Sequence, residues 1–144
     1  MFEDFLRDGS VKRITPDFQL AKSLAKIAEA RMRNIELLGI TDDNSFMIVE
    51  NCYEAIRELI DALLAIRGLK SYSHEAGIDF LKEYYSIKIN FGNINRANRY
   101  RILRNDIKYR GLITTKNEAE DVLKSAKDII RILGEIFDGE MRKK

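Results

Sequence analysis

The residues with the clearest capacity for chemistry lie between Arg96 and Arg110. Six basic side chains there (Arg96, Arg99, Arg101, Arg104, Lys108, Arg110) stand against one acid, Asp106, for a local net charge of +5. The whole chain of 144 residues carries only +2, so it is not a polycation that coats nucleic acid indiscriminately. An anionic partner should meet it at this segment. On an ideal helix, Arg101, Arg104 and Lys108 share one edge with Ala97, and Tyr100, Leu103 and Ile107 lie beside them. Like charges at these spacings oppose one another by a few tenths of a kcal/mol per pair, so the edge calls for a compensating anion. One candidate is phosphate, which arginine grips with a planar fork and lysine with a point charge. The other is internal: Glu54, Glu58 and Asp61 on an earlier helix can reach across a bundle to these cations.

The elements that must position this edge are read from apolar spacing. Residues 1–14 mix Phe2, Phe5 and Leu6 with charges and Gly9-Ser10, and are expected to form a docked arm. Thr15-Pro16 reads as a helix start, and Leu20, Ala21, Leu24, Ile27, Ala28, Ile35 and Leu38 recur at helical spacing until Gly39. A second run from Phe46 to Arg67 carries a stripe (Ile48, Val49, Cys52, Ile56, Leu59, Ile60, Leu63, Ile66) wide enough for more than one neighbour. Ser73 can cap a third, shorter helix through Tyr84. Ile87-Lys88-Ile89 alternates like a short strand, and Phe91-Gly92-Asn93 reads as a break. A fourth helix is expected from Ile94 to Tyr109, ended by Gly111, and Thr115-Lys116-Asn117-Glu118 matches the capping box of a fifth. Short connections favour an all-α, up-and-down antiparallel bundle of four main helices plus a shorter one, in a single domain over residues 15–144.

Other chemistries find no support. The chain lacks a P-loop, a dinucleotide glycine fingerprint and a serine nucleophile elbow. One histidine and one cysteine cannot make a recognisable zinc set, and Asp17, Glu29, Asp42 and Asp43 read as helix-flanking charges. No metal or cofactor is therefore expected. Cys52, within an apolar stripe, reads as a small core residue in a reducing compartment. No run is long enough to span a membrane and the N-terminal residues lack a signal-peptide pattern, so a cytoplasmic protein is expected. Tyr84, Tyr85 and Tyr100 can stack on bases, but such spacings more simply serve packing. Arg142-Lys143-Lys144 reads as a solvated tail.

The stretch Leu103-Arg-Asn-Asp-Ile-Lys-Tyr-Arg-Gly111, with Tyr72-Ser-His-Glu-Ala76, Thr15-Pro-Asp17 and the segment Tyr53–Leu59, resembles the HEPN (higher eukaryotes and prokaryotes nucleotide-binding) family, particularly its small archaeal versions. The resemblance runs from about Thr15 to the last helix. It implies a four- to five-helix bundle that homodimerises, bringing two copies of an arginine-polar motif into a cleft. Many members are metal-independent ribonucleases, often toxins paired with a small nucleotidyltransferase; others bind nucleotides or RNA, or act as scaffolds. The broad stripe on the second long helix fits the same expectation of a homodimer.

The active members' motif is an arginine, usually followed by a polar residue, and then a histidine a turn or two later. Arg104 and Asn105 match its opening, but Tyr109, Arg110 and Gly111 stand where the histidine would fall. RNA cleavage through a 2′-hydroxyl needs a base partly unprotonated near neutral pH, which imidazole (pKa about 6.5) supplies and phenol (about 10) does not. The resemblance thus implies phosphate contact by Arg104 with Asn105 in support, joined by Arg101, Lys108 and a hydrogen-bonding or stacking Tyr109. Tyr72 and His74 are expected to line the cleft, with Glu54 and Glu58 as supporting acids. The leading expectation is an RNA- or nucleotide-binding module whose catalysis has lapsed. Two others stand beside it. One is a metal-independent endoribonuclease that draws its groups from Arg104, Asn105, Tyr109 or His74, and the other is a helical assembly partner without nucleic-acid binding.

Overall fold

In a computed structural model of the chain, residues 1–143 are described, and they form a helical bundle with one small two-stranded ribbon. The element order is α1 (Phe2–Arg7), β1 (Val11–Arg13), α2 (Phe18–Glu36), α3 (Ser45–Ile66), β2 (Leu69–Ser71), α4 (His74–Tyr84), α5 (Phe91–Arg110) and α6 (Lys116–Arg142). The four long helices and the shorter α4 are those expected; α1 and the ribbon are additions. Lys144, the last residue of the basic tail, lies outside the described residues. Lys143 caps α6 and its ammonium sits 3.3 Å from the Glu140 carboxylate.

Helix α3 is the axis of the bundle because its apolar side chains recur too broadly for a single partner. It packs on α2, α4, α5, α6 and β2, and Ile48, Val49, Cys52, Ile56 and Leu63 are fully buried. Burying each such Ile or Leu contributes roughly 1.5–3 kcal/mol before chain entropy is counted. This stripe is consumed inside the chain, so it is not the surface on which a second copy could dock. Burial also pushes the Cys52 thiol up to about 12, leaving it protonated and unreactive.

Helix α2 corrects the sequence reading in two respects. Its cap is Asp17, whose carboxylate accepts from the Leu20 N–H at 3.0 Å, while Thr15 and Pro16 precede the helix. Its core face is the small-residue line Ala21, Ala25, Ala28, Met32 and Ile35. Leu20, Ile27 and Leu38, part of the same helical recurrence in the sequence, are exposed. The alanines let α2 lie close on α3, and that closeness decides which of two adjacent apolar lines turns inward.

The strand reading at Ile87 does not hold. Residues 86–89 form a turn in which Ile87 is exposed and Ile89 is buried. The ribbon lies elsewhere, with Val11, Lys12 and Arg13 paired antiparallel to Ser71, Lys70 and Leu69. Three-residue strands are too short to show a period, so neither was visible in the sequence. The ribbon and α1 dock the N-terminal residues: Phe2 is buried with its ring against Phe80 and Tyr84, at centroid distances of 5.6 and 5.8 Å.

Capping fixes the elements around the basic helix. Ser73 accepts from the Ala76 N–H at 3.2 Å to start α4. Asn90 accepts from the Asn93 N–H at 2.8 Å, so Phe91-Gly92-Asn93 is the first turn of α5 and not a break. Gly111, in the left-handed region at φ 67°, closes α5. The expected capping box opens α6, with Thr115 and Glu118 exchanging bonds of 3.0 and 3.2 Å. Buried hydroxyls of Ser45 and Thr114, 2.6 Å apart, tie the start of α3 to the α5–α6 connection. The tyrosines do not form a stacking platform. Tyr85 and Tyr100 are buried, and the Arg67 guanidinium lies 4.5 Å from the Tyr84 ring centroid and 5.2 Å from that of Tyr85.

Candidate phosphate-binding edge

Ala97 and Tyr100 bury one side of α5, which sets the rotation of the helix and holds Arg101, Arg104 and Lys108 along the neighbouring edge. The three cations are then treated differently. Arg104 leans onto α3, only 12% exposed, with Nη2 at 3.5 Å from Glu54 Oε1, and its Nη1 donates to the Asn105 side-chain oxygen at 3.1 Å. Arg101 donates to the neutral Asn98 oxygen at 2.9 Å. Lys108 is exposed, 5.6 Å from the ring centroid of Tyr109, itself 70% exposed. Among the described residues, neither Arg101 nor Lys108 has a carboxylate within ion-pair distance.

The internal compensation anticipated from α3 thus reaches only one member of the edge. Glu54 accepts that role, and its other oxygen also takes a bond of 3.2 Å from Arg57. Glu58 turns the opposite way: Arg31 of α2 grips it with both arms of the fork, at 3.0 and 2.8 Å. Asp61 pairs with Arg57 at 3.8 Å. A helix presents such side chains on several sides at once, so sequence separation alone could not say which acid would meet which arginine.

His74, the first residue of α4, is brought into the same field. Its ring packs on Tyr53 with centroids 5.9 Å apart. Burial depresses its pKa, and the positive charges of Arg57, Arg104 and Arg101 depress it further against the opposing pull of Glu54. The imidazole is therefore held neutral near pH 7, where it can accept a proton. Tyr53 is no rival for that role, because burial pushes its phenol up to about 12. Tyr72 makes its ring contacts with Lys12 and Lys70 of the ribbon, at 5.6 and 5.4 Å. Asn105 and Tyr109 stand where the periodicity of α5 puts them. Two members of the cluster were not singled out from sequence. Tyr53 and Arg57 lie on α3 at the helical spacing that includes Glu54 and Asp61, and that spacing was the signal that could have found them.

Asp61 carries a measurable consequence of this crowding. Desolvation raises its pKa from 3.8 to about 6, opposed by Arg57 and reinforced by Glu54 and Glu58. The folded chain thus holds the Asp61 proton more tightly than the unfolded chain does. The resulting stability is full below pH 4 and is lost as pH climbs through 6. Asp61→Asn should therefore stabilise the protein by about 1–2 kcal/mol at pH 7 and by almost nothing at pH 4. Denaturant titrations at the two pH values measure this; an equal effect at both would remove the titration argument.

Comparison with family models, curated proteins and solved structures finds no match to the chain. The fold and the edge together define a helical bundle presenting a partly compensated row of cations. No helix among the described residues is long and apolar enough to cross a membrane.

Proposed function

We propose that this protein binds the phosphates of RNA or of a nucleotide along the α5 edge, with Arg101, Arg104 and Lys108 as the contacting cations. The observation that carries the reading is that, of the three cations on the edge, Arg104 alone meets a carboxylate, that of Glu54, through a single contact of 3.5 Å, and Glu54 is already shared with Arg57. A phosphate approaching Arg101 and Lys108 breaks no ion pair, and it competes with Glu54 for the Arg104 fork. Asn105 holds the guanidinium of Arg104 in place, and the exposed Tyr109 ring offers a surface for a base. The resemblance of the Leu103–Gly111 stretch to the HEPN family supports the same edge, and with it the partners of that family, a second copy of the chain and a small nucleotidyltransferase. The missing motif histidine favours binding without cleavage.

A second reading, a metal-independent ribonuclease, is favoured by one observation. His74 comes from a different helix than the motif histidine would, yet it lies within the field of Arg104 and Arg101 and is held neutral. Arg104 would then stabilise charge on the phosphate while His74 takes the 2′-hydroxyl proton. In the third reading, an assembly partner, the edge meets acids on another protein.

One experiment separates these readings: binding of labelled single-stranded RNA and of ATP over a salt series, with cleavage products followed on gels. Affinity should fall linearly with the logarithm of salt concentration, and Arg101→Ala combined with Lys108→Ala should flatten that slope by about one to two contacts. Cleavage abolished by His74→Gln selects the ribonuclease. No salt-sensitive binding in the wild type would leave the assembly partner.

A further inference from the structure

The β-ribbon places two like charges side by side. Lys12 of β1 stands directly opposite Lys70 of β2 in the antiparallel register, and like charges at such a position oppose the pairing of the strands. Both side chains are exposed. Among the described residues no carboxylate lies within ion-pair distance of either. Asp8, the acid closest in sequence to Lys12, accepts from the Ser10 N–H at 2.8 Å. Asp61, which shares a groove with Lys70 and Ser71, is turned to Arg57 at 3.8 Å.

What the two ammonium groups do meet is an aromatic ring. Nζ of Lys12 and Nζ of Lys70 lie 5.6 and 5.4 Å from the ring centroid of Tyr72. The Tyr72 N–H donates to the Ser10 carbonyl at 2.7 Å, which fixes the tyrosine at the end of the ribbon. A ring attracts a cation without neutralising it, so the charge of the lysine pair stays available. Tyr72 is 61% exposed. A single exposed ring needs no explanation. One flanked by two uncompensated cations has the parts that take a base by stacking and its neighbouring phosphates by charge.

His74 joins this patch to the α5 edge. It follows Tyr72 by two residues, at most about 7 Å along the chain. Its ring packs on Tyr53, and the next residue of α3, Glu54, meets Arg104. Arg57, one turn further along α3, bonds the same Glu54 and lines a small cavity with Ser71, Ser73 and His74. The two cationic surfaces therefore adjoin across the start of α4.

We infer that the ribbon is a second RNA-contacting surface, with a base stacked on Tyr72 and the neighbouring phosphates on Lys12 and Lys70, so that the ligand is single-stranded RNA spanning both surfaces and not a free nucleotide. The ribbon contact stands on its own residues, while the span across both surfaces rests on the phosphate reading of the α5 edge. A duplex fits less well, because its bases are stacked on one another and offer no free face to the ring.

The test is binding of a labelled oligouridylate of about sixteen nucleotides and of ATP over a salt series, with phosphatidylserine vesicles as a second anionic probe. Lys12→Ala combined with Lys70→Ala should lower oligouridylate affinity about tenfold, flatten the salt slope by about one to two contacts and leave ATP binding unchanged. Tyr72→Leu should lower the affinity about fivefold or more at an unaltered slope, and Tyr72→Phe, which keeps the ring, should bind as the wild type does. Relieving the opposed lysines should leave the melting temperature equal or higher, so the loss of binding is separable from loss of fold. Ribbon variants that bind the oligouridylate at wild-type strength, while Arg101→Ala with Lys108→Ala binds weakly, would overturn the inference and leave the α5 reading standing. A loss confined to the ribbon variants would support the ribbon contact and sink the α5 reading. An equal loss of ATP binding in the lysine double variant, or lysine-dependent vesicle binding with no effect on the oligouridylate, would also overturn the inference, the latter by giving the ribbon to a membrane surface.

Discussion

Arg104→Ala is expected to lower affinity for single-stranded RNA at least tenfold, equivalent to about 1.4 kcal/mol, and also to destabilise the fold. The two losses have different origins. Binding falls because Arg101 and Lys108 remain without the fork between them, the only one of the three cations positioned by both Glu54 and Asn105. Stability falls because Glu54 Oε1 is buried and has no hydrogen-bond partner besides its ion-pair contact with Arg104. Leaving that oxygen alone costs about 1–3 kcal/mol. Adding Glu54→Gln removes the stranded charge and should return most of the stability while returning none of the binding. Thermal unfolding and RNA titration of both variants measure the two effects side by side. If Arg104→Ala binds RNA as tightly as the wild type, the α5 edge is not the phosphate site.

The largest stability effect is expected at Gly68. Its φ of +72° lies in the left-handed region, and a Cβ built there would sit 2.6 Å from the Ile14 carbonyl oxygen and 3.2 Å from the Pro16 ring. The neighbouring backbone cannot withdraw, because the Ile14 N–H donates to the Gly68 carbonyl at 2.8 Å and the Asp17 N–H donates to the Ala65 carbonyl at 3.0 Å. Gly68→Ala should therefore cost about 3 kcal/mol or more, of which the left-handed backbone alone accounts for about 1–2. At this chain length the melting temperature should fall by roughly 10 °C. Gly111, with φ +67° but open space around it, should lose only the backbone part, and Gly39, with neither constraint, should be nearly neutral. A Gly68→Ala loss no greater than that of Gly111→Ala would show that the turn relaxes and the close approach exerts no force.

How much was legible in the sequence follows from the range of each interaction. Ser73, Gly111 and the Thr115–Glu118 box act within one turn, so residue types alone located the start of α4, the end of α5 and the start of α6. The breadth of the α3 stripe announced a central helix with several neighbours, and the charge pattern of α5 announced its basic edge. Where two local signals competed, the sequence could not rank them: Asp17 over Thr15 as the α2 cap, and Asn90 as a cap where Gly92 suggested a break.

Everything that depended on which surfaces meet was decided by the tertiary structure. The two apolar lines of α2 have the same periodicity, and only packing against α3 selected the alanine line for burial and left the leucine line outside. Three acids on α3 could reach the cations of α5, and only the fold gave Glu54 to Arg104, Glu58 to Arg31 and Asp61 to Arg57. His74 lies thirty residues before Arg104, and only the docking of α4 brought it into that arginine's field. Periodicity and capping are local properties that a sequence records directly. The pairing of side chains across helices depends on rotations and close approaches that arise only once all the helices are packed together.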